Sequence, residues 1–334
     1  MKIIIDAMSG DKAPEEIVKG AVMARRELGV DVVLVGQQEV VKACLEAESC
    51  TDIEVVDARD VITMEDDPST ATRRKKDASM TVALNMLRDG SGDAVVSAGS
   101  TGALLTGATL IVKRINGIRR AALAPVLPNG GKGVVLIDSG ANVDCTPEYL
   151  LQFAYMGSFY ARTMLGLENP RVGLANVGTE DTKGGVLQHE TFQLLKAAGE
   201  AGRINFIGNV EGNGVFSGDV DVLVADGFTG NLMLKTAESM IKFMIGNLKS
   251  VFYKNLKNKL AAAVLKGDLA QMKKMLDVKE VGGTVMLGIS RPVIKAHGSS
   301  DARCILAAVR QAVTCVNSGI TEEIKANIEY MKIG

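Results

Sequence analysis

The 334-residue sequence predicts an α/β protein in which a largely parallel sheet lies between two layers of helices. Short apolar runs rich in β-branched residues alternate with amphipathic stretches of helical periodicity, the order that builds three-layer α/β/α folds. Most of the apolar runs are hydrophobic on both faces, which is typical of buried parallel strands. Glycine-rich turns follow the strands, and α/β sheets bind their ligands beyond those strand ends.

No repeat of fixed period and no low-complexity linker divides the chain, so we expect one catalytic unit over residues 1–334. The predicted strands are Ile3–Asp6, Val32–Val35, Ile53–Val56, Ala94–Ser97, Val134–Asp138, Val172–Ala175, Asn205–Gly208, Val222–Ala225 and Val293–Ala296. The predicted helices are Pro14–Leu28, which has a proline near its start, Val82–Arg88, Ala103–Lys113, Glu148–Leu165, Gly185–Ala198, Thr229–Phe252 and Asp301–Ala312.

Composition excludes several classes of protein. The formal net charge is −1, aromatic residues make up 4% of the chain and tryptophan is absent, which argues against a nucleic-acid binder. Five scattered cysteines without a Cys-x-x-Cys pair, and only two histidines, argue against structural zinc and suit a reducing, cytoplasmic compartment. No apolar run reaches the ~18 residues that a membrane span needs, and the chain opens on a predicted strand rather than a signal peptide.

The segment Glu238–Glu280 differs from the rest of the chain because it holds nine lysines and four acidic residues, a net charge of +5. Its apolar residues recur at helical spacing and predict two or three amphipathic helices. Two interpretations stay open. The segment is either a helical protrusion that packs on the core or on a second subunit, or a basic hairpin that contacts an anionic membrane or an acidic protein. Both can hold in one dimer.

Small polar residues and glycines follow most of the predicted strands. Glycine lets the backbone approach a ligand closely, and the N–H groups at a helix N-terminus favour phosphate. Any single turn could be merely a helix cap, but six or more at one edge of a sheet predict a site for a phosphate-bearing, anionic substrate. The turns are Asp6–Asp11, Ser97–Gly102, Asp138–Asn142, Asn176–Gly184, Asn209–Gly212, Asp226–Asn231 and Ala296–Ser300.

These turns supply the candidate site residues. Lys183 could neutralise a phosphate, although a surface role is equally open. His297, at a strand end before a serine pair, is the better of the two histidines for acid–base work, and Cys145 has no evident activating base nearby. The candidate phosphate-binding residues are Asp6, Ser9, Gly10, Ser100, Thr101, Gly102, Asn142, Asn176, Asn209, Asp226, Gly227, Thr229, Gly230 and Ser299.

Two nucleotide-binding signatures are missing from the sequence. No Gly-x-x-x-x-Gly-Lys-[Ser/Thr] occurs, and no Gly-x-Gly-x-x-Gly follows the first predicted strand, so ATP-driven chemistry and a dinucleotide-binding fold lose support. The basic run Arg73–Lys76 is either a solvated surface or a region that steers an acidic partner or a phosphate tail.

Taken together, the motifs resemble those of the bacterial phosphate acyltransferases of phospholipid synthesis, from Lys2 to the helix after His297. The motifs that carry the resemblance are Asp6–Asp11, Ser97–Leu105, Asp138–Asp144 with Leu151–Ser158, Asn176–Gly184, Phe206–Glu211 and Asp226–Lys235. The sequence departs from that family at Ser9, where glycine is usual, and at Ser100, where asparagine is usual.

The resemblance implies a fold like that of isocitrate and isopropylmalate dehydrogenases and of phosphotransacetylases, with two intertwined subdomains that share one mixed sheet. It implies transfer of a long-chain acyl group from acyl carrier protein to inorganic phosphate. It also implies a homodimer at the cytoplasmic membrane, near the downstream glycerol-phosphate acyltransferase. Glu238–Glu280 is the candidate dimer and membrane element.

That reaction requires neither a metal nor another cofactor. Phosphate is already partly dianionic near pH 7, so the enzyme has to position it against the thioester and stabilise the oxyanion. We expect Lys183, His297 and Asn231 to carry this chemistry, with the N–H groups of Thr101–Gly102 and Thr229–Gly230. The alternatives are a metal-dependent NAD(P)-linked dehydrogenase, a coenzyme A-dependent phosphotransacetylase and a non-catalytic scaffold on a lipid surface.

Overall fold

The computed structural model describes residues 1–276 and 282–332 and confirms the α/β class. In chain order its strands are β1 (Lys2–Asp6), β2 (Asp31–Gly36), β3 (Glu54–Asp57), β4 (Ala94–Ser97), β5 (Ala122–Ala124), β6 (Val126–Leu127), β7 (Val134–Ile137), β8 (Arg171–Ala175), β9 (Asn205–Val210), β10 (Val222–Val224), β11 (Thr284–Leu287) and β12 (Val293–Lys295). Its α-helices are α1 (Glu15–Leu28), α2 (Gln38–Ala47), α3 (Ala71–Arg74), α4 (Ser79–Arg88), α5 (Thr101–Gly107), α6 (Pro147–Leu165), α7 (Val186–Glu200), α8 (Gly227–Tyr253), α9 (Leu256–Val264), α10 (Lys266–Leu276), α11 (Ala302–Ser318) and α12 (Ile320–Ala326).

The strands form two sheets, which corrects the expectation of one shared sheet. The first has the order β3–β2–β1–β4–β12–β11–β5, and the second has the order β6–β7–β10–β8–β9. The ladder breaks at Pro125, between β5 and β6, because proline has no N–H to donate. Two hydrogen bonds still tie β5 and Pro125 to β7 and its turn, from Leu136 N–H to the Pro125 carbonyl (3.0 Å) and from Ser139 N–H to the Leu123 carbonyl (3.2 Å).

All nine predicted strands are present, with ends shifted by one or two residues. The three that sequence reasoning missed are β5, β6 and β11, and each of them pairs antiparallel with a neighbour. Two of these are only two or three residues long and flank Pro125, so their runs carry too little periodicity to be recognised. Helices α2, α3 and α12 were also missed. The predicted helix Ala103–Lys113 begins at Thr101 and ends in a π-helical turn, Ala108–Val112.

The first sheet is buried on both faces, as the three-layer prediction requires. Ile3 and Ile5 of β1 belong to the same core cluster as apolar residues of α1 and α11, whereas the intervening Ile4 belongs to the cluster of α4 and α5. Successive side chains of a strand point to opposite faces, so one strand contributes to both helical layers. This double burial explains why the parallel strands were readable as apolar runs.

The buried carboxylate of Asp138 organises the turn after β7. It accepts hydrogen bonds from the N–H groups of Leu123 (2.9 Å), Ser139 (2.7 Å), Ala141 (3.0 Å) and Asn142 (2.7 Å). Burial raises the pKa of this carboxyl group, and the hydrogen bonds oppose the rise. Since Leu123 belongs to the first sheet and Asp138 follows a strand of the second, this one side chain joins the two sheets.

Helix α8 begins against the same turn. Gly227 N–H donates to the Asn142 carbonyl (2.7 Å), and a Cβ atom at position 227 would lie 2.5 Å from that carbonyl oxygen. A Cβ atom at position 230 would clash with the carbonyl oxygen of Asp138. Both glycines therefore permit a close approach of backbone to backbone.

Beyond Ala237, the segment of α8, α9 and α10 buries none of the side chains that are described there. Helix α9 packs on α8, and α10 packs on α9. Large apolar side chains are exposed along the segment, among them Phe243 (66%), Leu256 (73%) and Val264 (84%). The predicted end of the segment at Glu280 lies outside the described residues.

Within residues 1–276 and 282–332, no single helix is both long and apolar enough to cross a membrane. Among these residues, helices α11 and α12 pass that test of length and composition only when they are counted together as one bent pair.

We predict that Gly230→Ala lowers the free energy of unfolding by about 1–3 kcal/mol, because the added methyl group has to displace the backbone of Asp138. Urea denaturation would measure the loss. Gly246→Ala, on the same helix, is the matched control because open space surrounds position 246. There we expect a gain of up to about 1 kcal/mol from helix propensity. A Gly230→Ala variant as stable as the parent chain would contradict this view of the α8 contact.

Candidate functional site

A cavity of about 710 Å³ lies between the two sheets, at the carboxyl ends of β4, β7 and β12. The turns after these strands line it, together with one face of α8 and the β5–β6 segment. The position agrees with the rule that α/β sheets bind ligands beyond the carboxyl ends of their strands. The residues from the strand ends are Gly99, Thr101, Ser139, Gly140, Lys295, Ala296, His297, Gly298 and Ser300.

One face of α8 supplies a second wall of the cavity. Its polar members begin with Asn231 and Lys235 and recur every three or four residues, the spacing of one helix face. Apolar residues of α8 share this face with the polar ones, so the wall combines polar and apolar side chains along its whole length. The apolar lining residues are Leu234, Ile241 and Ile245 of α8, with Met64, Leu123 and Val126. Sequence reasoning could not place these walls.

Lys295, the last residue of β12, is a lining residue that sequence reasoning missed. Its ammonium group donates to the carbonyl of Ala98 (3.4 Å) and to that of Ala296. Burial lowers its pKa to about 8, Asp6 opposes that shift and Lys235 adds to it. A lysine at the end of an otherwise apolar strand was the available signal, since strand ends that are buried seldom carry a charge.

Asp6 lies beneath the cavity rather than on its wall. The buried carboxylate accepts hydrogen bonds from the hydroxyl groups of Ser79 and Ser97, each at 2.6 Å. The following turn, in which Gly10 has a φ of +117°, is bonded to the turn after β12 through Asp11 N–H and the Gly298 carbonyl (2.8 Å). Asp6 and Gly10 thus hold the floor of the cavity in place.

Two buried hydroxyl groups in this region lack a hydrogen-bond partner among the described residues. They belong to Ser9 and Ser300, which are each 2% exposed. Ser300 also lines the cavity. An unpaired buried hydroxyl is unfavourable by about 1–3 kcal/mol, so a ligand that pairs with Ser300 gains from it.

His297 also lines the cavity, as predicted. Its Nδ1 accepts the N–H of Ser299 (3.2 Å) and lies 3.0 Å from the Ser299 hydroxyl. Because Nδ1 is an acceptor there, the neutral ring carries its proton on Nε2. Ser299 therefore orients the imidazole of His297, whereas the sequence had predicted that Ser299 contacts phosphate.

The turn Asp226–Asn231 reaches the cavity only through Asn231. Asp226 caps α8, accepting the N–H of Thr229 (2.8 Å) at its side chain and the N–H of Gly230 (2.9 Å) at its carbonyl. The predicted use of these two N–H groups as oxyanion donors is therefore corrected, because both are already paired inside the helix cap.

Three other predicted residues form a separate cluster, in which Lys183 ion-pairs with Glu180 (4.0 Å) at the surface. Asn176 Nδ2 donates to the Lys183 carbonyl (3.0 Å), and Asn209 Nδ2 donates to the Glu180 carbonyl (2.8 Å). Asn176 and Lys183 follow β8, whereas Asn209 lies within β9, and both strands lie beyond β10 in the second sheet. None of the described residues that line the cavity comes from this cluster.

Of the remaining predicted residues, Thr101 lines the cavity at the N-terminus of α5. Ser100 caps that helix with a long contact to Ala103 N–H (3.5 Å), and Gly102 packs close to Pro68. Asn142 donates to the carbonyl of Ala121 (2.8 Å) and to Asp138, so it stabilises the turn.

Cys145 is unsuited to nucleophilic attack, because burial raises the pKa of its thiol to about 12. Within the described residues, no three His, Cys, Asp or Glu side chains form a group that could hold a metal ion.

Comparison with solved structures supports the fold. A phosphotransacetylase from Streptococcus pyogenes superposes with a TM-score of 0.63 at 17% identity, over 95% of this chain and 94% of that one. A 4-hydroxythreonine-4-phosphate dehydrogenase from Klebsiella pneumoniae gives a TM-score of 0.56 at 15% identity, over 95% of this chain and 98% of that one. Identities this low establish a shared fold, and the expected likeness to phosphotransacetylases is confirmed.

Comparison of sequences is more specific. Proteins named phosphate acyltransferase are similar to the chain, with 45% identity in Oceanobacillus iheyensis (98% of each chain) and 46% in Anoxybacillus flavithermus (99% of this chain, 100% of the relative). The family model described as fatty acid synthesis protein matches residues 1–323. The chain therefore belongs to the fatty acid synthesis protein family.

Proposed function

We propose that the chain is an acyltransferase that moves a long-chain acyl group from acyl carrier protein to inorganic phosphate, giving an acyl phosphate for phospholipid synthesis. The observation that carries this proposal is a single cavity with a cationic, hydroxyl-bearing end and an apolar wall. Lys295, Lys235 and Ser300 suit phosphate, whereas Ile241 and Ile245 suit an acyl chain. The chain's relatives are named phosphate acyltransferase, which supports acyl transfer to phosphate.

In the proposed reaction, a phosphate oxygen attacks the thioester carbonyl carbon, and the carbon–sulfur bond breaks without an acyl-enzyme. Lys295 and Lys235 hold the phosphate dianion, and the first turn of α5 at Thr101 offers backbone N–H groups to it. Asn231 donates a hydrogen bond to the carbonyl oxygen as negative charge develops there. His297 Nε2–H donates a hydrogen bond to the departing thiolate, which takes up the proton that the phosphate loses once it is acylated.

Release of free thiol from a long-chain acyl carrier thioester tests this function, with the matching coenzyme A thioester run in parallel. We expect turnover with the carrier thioester that requires phosphate and yields one acyl phosphate for each thiol released. When the acyl group is labelled, no label should remain on the protein. Turnover with coenzyme A alone would identify a phosphotransacetylase instead. Phosphate-independent or absent turnover with both donors would contradict the proposal and favour the scaffold. Retained label would overturn direct transfer.

We predict that kcat/KM for phosphate falls as the pH rises through about 8, because Lys295 then loses the proton that makes it a cation. Steady-state rates between about pH 6.5 and 9.5 would show the inflection. Lys295→Arg keeps its charge over this range, so its profile should lack that inflection. Lys295→Met should lose about 100-fold in kcat/KM at pH 7, whereas Lys196→Met, at the surface, should lose nothing. An unchanged inflection in Lys295→Arg would assign it to another group.

The segment beyond Ala237 has the exposed apolar and basic side chains that binding to a second copy of the chain and to a membrane requires. We propose that its exposed apolar side chains pack on a second copy of the chain, and that Lys257, Lys259 and Lys266 contact anionic headgroups on the cytoplasmic face of the membrane. Exposed Phe243 and Leu260 and the positive charge of the segment support this proposal. Membrane contact of this kind would also bring the chain close to the downstream glycerol-phosphate acyltransferase.

Sedimentation with phosphatidylglycerol vesicles separates the two roles. We expect Lys257→Glu/Lys259→Glu/Lys266→Glu to remain dimeric in analytical ultracentrifugation but to lose most vesicle binding, since each basic residue near such a surface contributes about 1 kcal/mol. Phe243→Glu should instead shift the chain toward monomer. Vesicle binding that survives the triple charge reversal would refute the membrane role of these lysines, and a Phe243→Glu dimer would refute the role of that side chain.

A further inference from the structure

A second groove, of about 760 Å³, lies at the far end of α5 from the substrate cavity. We call it the basic groove, because four cationic side chains from an eight-residue stretch line it, with Lys332 beside them: Lys113, Arg114, Arg119 and Arg120. Among the described residues that line it, Glu148 is the one acidic side chain. The chain as a whole has a net charge of −1, so this concentration of positive charge is local.

The arginines of the basic groove are held in place by their neighbours. Arg119 Nε donates to Glu148 (3.1 Å), and Arg114 donates to the Arg119 carbonyl. The guanidinium carbon of Arg120 lies 5.1 Å from the centre of the Tyr149 ring. Contacts of this kind fix each side chain while leaving most of the charge uncancelled, and a preordered cation loses little conformational entropy on binding.

The run Arg73–Lys76 offers a useful contrast. Lys75 contacts Asp66 (2.9 Å) and Asp60 (3.7 Å) and donates to the carbonyl of Val61, so it ties its own loop together. Acidic residues therefore accompany that run, which the sequence had suggested as a surface for an acidic partner. The basic groove is the stronger candidate for such a surface.

The basic groove lies close to the reaction site. Thr101, at the start of α5, lines the substrate cavity, and Thr109, in the π-helical turn that follows, lines the groove. Eight residues of helix span about 12 Å. Along the chain, Arg120 in the groove is three residues from Leu123 in the cavity, at most about 11 Å of extended backbone.

We infer that the basic groove docks the acidic face of the carrier protein that presents the acyl thioester. This inference rests on the proposed function. The exposed cations are spread over eight residues of the surface, which suits an acidic protein face better than a small enclosed ion. The short distance to the cavity lets a docked carrier deliver its thioester on a flexible arm while the phosphate is held by Lys295.

Binding and turnover test the inference separately. The variant is Lys113→Glu/Arg120→Glu, and the matched control is Lys19→Glu/Lys42→Glu, which makes the same change in net charge on exposed positions of α1 and α2. Helix α2 packs on β2, five strand spacings from β5 and so about 24 Å across the first sheet. The readouts are the Kd of fluorescently labelled carrier protein and the KM for two donors of equal chain length, the carrier thioester and the uncharged pantetheine thioester.

We expect the groove variant to raise the Kd and the KM for the carrier by about tenfold, through lost charge complementarity. Its KM for the pantetheine thioester should stay within about twofold of the parent value, and the control variant should change neither parameter. A carrier Kd unaffected by the groove variant overturns the inference, as does an equal loss with the control. If the KM for the pantetheine thioester also rises, the single variant Arg120→Gln is measured instead. An unchanged Kd for the carrier in that variant also overturns the inference. Absence of turnover in the parent chain would count against the proposed function alone, because the Kd is measured without turnover.

Discussion

The buried carboxylate of Asp138 is the interaction on which the rest of this structure depends. A charged group so far from water is tolerated only when hydrogen bonds replace its hydration. Here the donors are backbone N–H groups from its own turn and from Leu123, which lies in the other sheet. The demand for donors therefore forces the turn to wrap around the carboxylate and holds the two sheets together. It also exposes the Asp138 carbonyl to α8, which can approach only because residue 230 is glycine.

The same need for hydrogen-bond partners explains why several polar residues of the glycine-rich turns do not line the cavity, although five of the seven turns contribute to its lining. A polar residue at a strand end can serve either the turn itself or a ligand, and its sequence does not reveal which. Asp226 and Asn142 stabilise the backbone, since Asp226 accepts from Thr229 in its own turn and Asn142 donates to Asp138 and to the carbonyl of Ala121. Ser300 has no such partner among the described residues, and Lys295 is held by carbonyl groups that leave its charge uncancelled. Phosphate would supply what both of these groups lack.

Sequence reasoning identified the α/β class and the parallel strands because burial on both faces leaves a continuous apolar run. It missed β5 and β6, which are only three and two residues long, and it missed β11, which pairs with the distant β5. For the site, it found His297, Asn231 and Thr101 but overlooked Lys295, which looks like an ordinary strand residue until the fold buries it. It favoured Lys183 because glycines flank that lysine, yet only the strand order shows that its turn lies beyond β10.

In the proposed function, helix α8 takes part both in substrate binding and in association with a second copy of the chain. Its first turns present Asn231 and Lys235 to the cavity, its middle turns present Ile241 and Ile245 to the same space, and its opposite face exposes Phe243. A helix is stiff over this length, so anything that covers Phe243 also restrains Ile241 and Ile245 two residues away on the other side. In the proposed dimer, an acyl chain bound along α8 therefore lies one helix diameter, about 10 Å, from the surface that packs on the second copy. Within the proposed function, packing of a second copy on Phe243 therefore acts on the same helix turns that line the acyl chain.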